Sequence, residues 1–177
     1  IIITGPSGVG KGTVIKELLD KDKEIWLSVS ATTRSPRMGE KNGENYYFIS
    51  DEKFKDMIDN KEFLEWAQFA GNYYGTPLST VNEKIGMGFI VLLEIEVEGA
   101  KQIKEKFPEA LSIFLLPPSK EELEKRIRNR GTEKEDAINK RLSRANFEIA
   151  SSDKFDFVLT NHDVNETVKG VFNIIKS

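Results

Sequence analysis

The segment GPSGVGKGT, Gly5 to Thr13, follows the apolar run Ile1 to Thr4 and precedes a helical pattern that places Val14, Ile15, Leu18 and Leu19 on one face. Few short patterns constrain a fold so strongly. A Gly, four residues, Gly-Lys loop works only with a strand entering it and a helix leaving it. Its successive backbone N–H groups and the helix N-terminus then wrap a phosphate together. Gly5, Gly8 and Gly10 suit this because a side chain would collide with the phosphate or forbid the backbone angles, while Pro6, Ser7 and Val9 fill the variable places. Lys11 is long enough to reach the outer phosphates. Where the pattern usually has a hydroxyl residue, Gly12 stands, and Thr13 offers the nearest hydroxyl.

The rest of the chain extends this strand–loop–helix unit. FIVLLEIE (Phe89 to Glu96) and LSIFLL (Leu111 to Leu116) are nearly continuous apolar runs, as in parallel strands covered on both faces by helices. FDFVLT (Phe155 to Thr160) reads as a last strand. Val168, Val171, Phe172 and Ile175 give the segment from Val164 to Ile175 a helical period. Ser119 with Glu122 and Thr132 with Glu135 read as capping boxes that start two helices. The expected fold class is α/β: a three-layer parallel sheet flanked by helices, of the phosphate-loop type.

Two stretches depart from that pattern. From Arg34 to Pro77, short aromatic-rich pieces (NYYFIS, FLEWAQF) alternate with Gly/Asn turns and one short helix near Asp51 to Asp59, which suggests an inserted lobe. From Ser119 to Arg144 basic residues outnumber acids, which alone would read as a solvated pair of helices. Glu94, at the end of a buried strand, is a candidate to manage a magnesium ion through water. Two residues further along the same strand, Glu96 would face the same side.

The 177 residues suffice for one compact domain. No apolar run approaches the roughly 20 residues that span a bilayer. The absence of cysteine excludes disulfides and thiolate metal sites, in keeping with a cytoplasmic protein. A net charge of −3 argues against a general nucleic-acid binder and requires any anion site to be a local basic patch. The opening IIIT, with neither Met nor a charged leader, reads as a first strand cut short, with no signal peptide expected.

Read in order, GPSGVGKGT, SVSATTRSPRMGEKNGENYYF, FLEWAQFAGNYYGTP, LEIEVEGAKQI, LLPPSKEELEKRIRNRGTE and INKRL resemble the guanylate kinases over essentially the whole chain. The resemblance implies a single domain, 1–177. Its core would comprise 1–33, 78–118 and 145–177, its GMP-binding lobe 34–77 and its lid 119–144. It implies transfer of the γ-phosphoryl group of ATP to GMP with Mg2+. Residues 5–13 with Arg130 and Asn161 would bind ATP. Arg34, Arg37, Tyr46 and Tyr74 would hold the GMP phosphate, and Ser30, Glu65, Thr76 and Glu96 the guanine. Lys11, Arg37, Arg130 and Arg141 would surround the transferred group. ATP and GMP are the expected partners, with no nucleic-acid polymer, membrane or obligate protein among them. Trp26 and Trp66 are expected in packing, and His162 in an exposed turn.

Two other readings compete. A kinase of another nucleoside monophosphate would share the loop but not the carboxylates suited to guanine. A peptide-binding module of the kind found in membrane-associated scaffold proteins would share the fold but typically lacks the intact loop and the basic residues.

Overall fold

The computed structural model describes residues 1–131 and 133–177. In chain order the elements are β1 (Ile2–Thr4), α1 (Lys11–Lys21), β2 (Ile25–Leu27), β3 (Ala31–Thr32), β4 (Tyr47–Phe48), α2 (Asp51–Asp59), β5 (Phe63–Phe69) and β6 (Asn72–Pro77). They continue with α3 (Leu78–Gly86), β7 (Ile90–Glu94), α4 (Val97–Lys106), β8 (Ser112–Leu116), α5 (Lys120–Asn129), α6 (Glu135–Ala150), β9 (Phe157–Thr160) and α7 (Val164–Lys176). The chain divides into two compact units. The first comprises Ile1–Lys23, Glu94–Val97 and Ala110–Ser177, the second Glu24–Leu93 and Glu98–Glu109.

In the first unit β1, β8 and β9 form a parallel sheet in that order, with Ile3 opposite Ile113 and Phe114 opposite Val158. Ile2, Ile3, Ile113, Phe114 and Leu115 are all fully buried, which is why β1 and β8 read as apolar runs. Helix α1 buries Val14, Ile15 and Leu18, and packs with α7, which buries Thr167, Val168 and Val171. An ion pair from Lys176 to Asp22, 2.8 Å long, ties the end of α7 to the C-cap of α1. Helices α5 and α6 share a core of Leu123, Ile127, Ile138 and Ala145, so the basic segment has an apolar seam beneath its charges.

The box at Ser119 forms in half. Its hydroxyl accepts from the N–H of Glu122 at 3.0 Å, but the Glu122 carboxylate accepts from Arg126 Nε at 3.2 Å. The second expected box includes Thr132, which lies outside the described residues. Helix α6 begins at Glu135, whose carboxylate takes two bonds of 2.8 Å from Arg128 of α5.

The second unit contains the parallel pair β2–β7 and a four-stranded mixed sheet ordered β4-β3-β6-β5. Strand β3 runs parallel to β4 and antiparallel to β6, and β5 and β6 form an antiparallel hairpin. Its turn holds Ala70 at φ 49° and Gly71 at φ 82°, the left-handed pair that matches the twist of a tight hairpin. Beneath the sheet, Phe54 of α2 is fully buried and stacks on Phe63 at 4.4 Å and Tyr73 at 5.2 Å. Truncating Phe54 to alanine would cost about 3–5 kcal/mol.

One expectation is corrected. The placing of Glu94 and Glu96 on the same side assumed a strand continuing to Glu96, but β7 ends at Glu94 and α4 begins at Val97. The two-residue alternation of a strand therefore stops short of Glu96.

Candidate active site

In the first unit the loop leaves β1 at Gly5, where a Cβ would lie 2.7 Å from the carbonyl oxygen of Leu115, so the strand can approach β8 this closely only without a side chain. At the far end Gly10 is the N-cap of α1 with φ 98°, and a Cβ there would meet Asn161 Nδ2 at 2.8 Å. No side chain caps this helix. Its first-turn N–H groups therefore remain available to an anion, reinforced by the helix dipole.

The loop is braced from outside. The Val9 carbonyl accepts from Asn161 Nδ2 at 2.8 Å and from Arg126 Nη1 at 3.2 Å. Asn161 is itself oriented by the Thr167 hydroxyl, which donates to its Oδ1 at 2.8 Å. Lys11 donates from Nζ to the carbonyl of Gly5, across the mouth of its own loop. A cavity of about 400 Å³ opens beside the loop. It is lined by Gly8, Gly10 and Thr13, by Arg126 of α5 and Arg130 at the C-cap of that helix, and by Asn161 and His162 after β9. Arg141 lies apart from that lining and pairs with Glu133 at 2.9 Å.

The second unit carries a different cluster. Glu65 of β5 and Thr76 of β6 are paired across the hairpin, so their side chains share a face. Both are buried, and the Thr76 hydroxyl donates to Glu65 Oε1 at 2.7 Å. Burial raises the proton affinity of Glu65, and the bond from Thr76 opposes that rise. Behind the carboxylate, Gly99 leaves room for its Oε2, since a Cβ there would sit 2.7 Å from that oxygen.

Two residues before Thr76 in β6, and so on the same face, Tyr74 meets Tyr46 edge-on at 6.1 Å, and Arg34 lies over the Tyr46 ring, 5.3 Å from its centroid. The Arg34 guanidinium holds the Glu40 carboxylate at 2.8 and 3.0 Å in a bidentate pair, and the same carboxylate accepts the N–H of Arg37 at 2.7 Å. The Arg34 bond, followed by that N–H, brings the Glu40 carboxyl down to about 2. Burial raises the Tyr46 phenol, with Arg34 opposing it. The Arg37 side chain is exposed, and Ser30 is half-buried. Of the expected residues in Glu94–Val97, Glu94 is exposed and Glu96 accepts from Arg144 Nη2 at 3.3 Å.

The sequence profile of the guanylate kinase family matches residues 1–177. The chain belongs to the guanylate kinase family. It is 85% identical to a guanylate kinase of Prochlorococcus marinus subsp. pastoris over 177 residues, covering 100% of this chain and 96% of the relative. It is 57% identical to a guanylate kinase of Trichormus variabilis over 97% of this chain and 86% of that protein. The crystal structure of guanylate kinase from Anaplasma phagocytophilum superposes with a TM-score of 0.79 at 36% identity, covering 99% of this chain and 82% of that one. A shikimate kinase from Bacteroides thetaiotaomicron, 12% identical with a TM-score of 0.55, shares the fold.

Against this guanylate kinase framework, sequence reasoning missed Arg126, Glu40 and the place of His162. Arg126 is one of several arginines in a basic run, and only its bond to Val9, 117 positions away in the chain, sets it apart. His162 is exposed as expected, yet it lines the cavity. Asn161 lines it too, but its amide is engaged with Val9 and Thr167, which makes it a brace of the loop. Trp26 takes part in packing, with the Lys84 ammonium 5.5 Å from its ring, and Trp66 lies against Tyr73 at 6.0 Å. Among the described residues, no helix is long and apolar enough to cross a membrane.

Proposed function

We propose that the chain transfers the γ-phosphoryl group of ATP to GMP, giving GDP and ADP, within cytoplasmic purine nucleotide metabolism. The observation that carries this reading is the buried Glu65 carboxylate, oriented by Thr76. Guanine presents N1–H and the N2 amine as adjacent donors, which one carboxylate accepts together, whereas adenine presents no such pair. A base that leaves a buried carboxylate unpaired is rejected strongly. Ser30 and Glu96 supply further acceptors for guanine, and Arg34, Arg37, Tyr46 and Tyr74 take the GMP phosphate.

The loop N–H groups of residues 5–13 and Lys11 bind the ATP phosphates, and Arg130 and Arg141 add charge from the lid, 119–144. An oxygen of the GMP phosphate attacks the γ-phosphorus, the bond to the β,γ-bridging oxygen breaks, and its electron pair leaves with ADP. Because the attacking group is already an anion, no general base is required. Lys11, Arg37, Arg130 and Arg141 act by compensating charge on the transferred oxygens. Closure of the lid excludes water as a competing acceptor. The oxygen donors of Thr13 and Glu94, both exposed, suit Mg2+, which keeps several waters and takes substrate phosphates as ligands. When bound, Mg2+ neutralises charge on the β- and γ-phosphates.

A coupled ADP-release assay with GMP, AMP, CMP and UMP tests the reading. GMP should be the preferred acceptor by roughly two orders of magnitude or more. Equal rates would refute the guanine assignment, and no turnover with any of them would favour a binding module.

A further inference from the structure

Glu148 of α6 is 5% exposed, and only one of its carboxylate oxygens is satisfied. Oε1 accepts from Arg144 Nε at 3.1 Å, one helical turn back, whereas Oε2 is buried with no hydrogen-bond partner. Arg144 also reaches Glu96, donating from Nη2 to Oε2 at 3.3 Å. One guanidinium thus joins a buried carboxylate on the long helix to an exposed one in the segment after β7. Burial, and then the charge of Glu96, raise the proton affinity of Glu148, while Arg144 and Lys11 oppose that rise.

As mere filling this arrangement is poor. A half-satisfied buried carboxylate is costly, and an apolar side chain of similar length would fill the same space more favourably. The Glu96 side chain also needs an anchor of its own. The backbone before it is fixed at Ile95, whose carbonyl accepts from the Thr4 hydroxyl at 2.9 Å and whose N–H donates to the Ile3 carbonyl at 3.4 Å, but neither bond restrains the Glu96 side chain.

We propose that Glu148 is a positioning residue for acceptor recognition: it orients Arg144, and Arg144 holds the Glu96 carboxylate in the direction that receives the acceptor base. The inference rests on the reading of Glu96 as a guanine contact. It makes α6 part of the base-selecting apparatus as well as of the phosphate-binding one.

The test is steady-state kinetics with GMP and ATP varied separately, together with thermal unfolding in the absence of nucleotide. The variants are Glu148→Met, Arg144→Met, the double substitution, and Glu96→Gln as reference. Glu148→Met should raise KM for GMP about tenfold, leave KM for ATP within about twofold, and leave the melting temperature unchanged or higher. Arg144→Met, on a half-exposed side chain, should reproduce the GMP effect, and the double substitution should be no worse than either single one. A lowered melting temperature with unchanged KM for GMP would overturn the inference, as would parallel rises for both substrates or additive effects in the double variant. If Glu96→Gln raises KM for GMP and Glu148→Met does not, the positioning role alone falls. If Glu96→Gln itself leaves KM for GMP unchanged, the base assignment falls and takes this inference with it.

Discussion

Replacing Glu65 with glutamine isolates the charge proposed to select the base while keeping the side chain's length and shape. The Thr76 hydroxyl donates to Oε1 at 2.7 Å, so in the variant the one remaining carbonyl-type oxygen is drawn toward Thr76 and the NH2 group toward the ligand. Guanine would then bring its donors against a donor. Losing a charge-assisted bond costs about 1.5–3 kcal/mol, and an unpaired buried donor adds about 1–3 kcal/mol. Since relaxation and a turn of the Thr76 hydroxyl recover part of this, the expected net loss is about 2–4 kcal/mol, or roughly 30- to 700-fold in GMP affinity. Isothermal calorimetry with GMP measures it directly.

The free protein should respond in the opposite sense. Burial raises the folded-state pKa of Glu65 above its unfolded value, so its contribution to stability is fully present below the ordinary carboxylate range and is lost as pH rises through the folded pKa. At neutral pH the glutamine variant should therefore unfold at the same denaturant concentration or a higher one. A GMP affinity within about threefold of the parent, or a marked loss of stability without ligand, would refute the reasoning.

Lys11→Ala should reduce turnover by about a hundredfold or more while calorimetric GMP affinity stays within about threefold, because the residues proposed for the acceptor phosphate are Arg34, Arg37, Tyr46 and Tyr74. Glu40→Gln should lower stability in urea at pH 6, and the difference from the parent should fade as pH falls from 4.5 toward about 2, the window over which the paired carboxyl takes up its proton. In the loop, Gly10→Ala should destabilise by about 2 kcal/mol or more, from the left-handed backbone and the close Asn161 amide. Gly12→Ala should stabilise by about 0.5–1 kcal/mol, since a Cβ there meets nothing within 4 Å and the residue is helical. Chemical denaturation of the two variants checks the contrast.

The parts of the fold legible in the sequence are those whose signals are local. The strand entering the phosphate loop, the face of α1 and the extent of α2 and β5 follow from periodicity and turn residues over a dozen positions. Helices α3 and α4 carry no such signal, for a physical reason: α3 buries only Val81, and α4 starts three residues after a strand, with Glu96 standing where Ser, Thr, Asp or Asn commonly cap. The pairing of β3 with both β4 and β6 joins residues 16 and 44 positions apart at Ala31, which no local pattern encodes. The site shows the same divide. Residue types suited to phosphate or guanine were nameable from motifs, whereas the acceptor already bound to Arg34, the brace on Val9 and the half-satisfied Glu148 exist only in three dimensions.

The two bonds to the Val9 carbonyl have a consequence for the loop's recognition of phosphate. In a trans peptide the carbonyl and the following N–H point in opposite directions, so whatever anchors the oxygen also aims the hydrogen. Asn161 and Arg126 therefore set the heading of the Gly10 amide without touching it, as a tail vane turns the nose of a weathercock. A displacement of α5 that pulls on Arg126 would swing that donor through an angle while leaving every atom of the phosphate-facing surface chemically unaltered. The loop would thus be tuned in direction by two side chains that bond to its carbonyl oxygen.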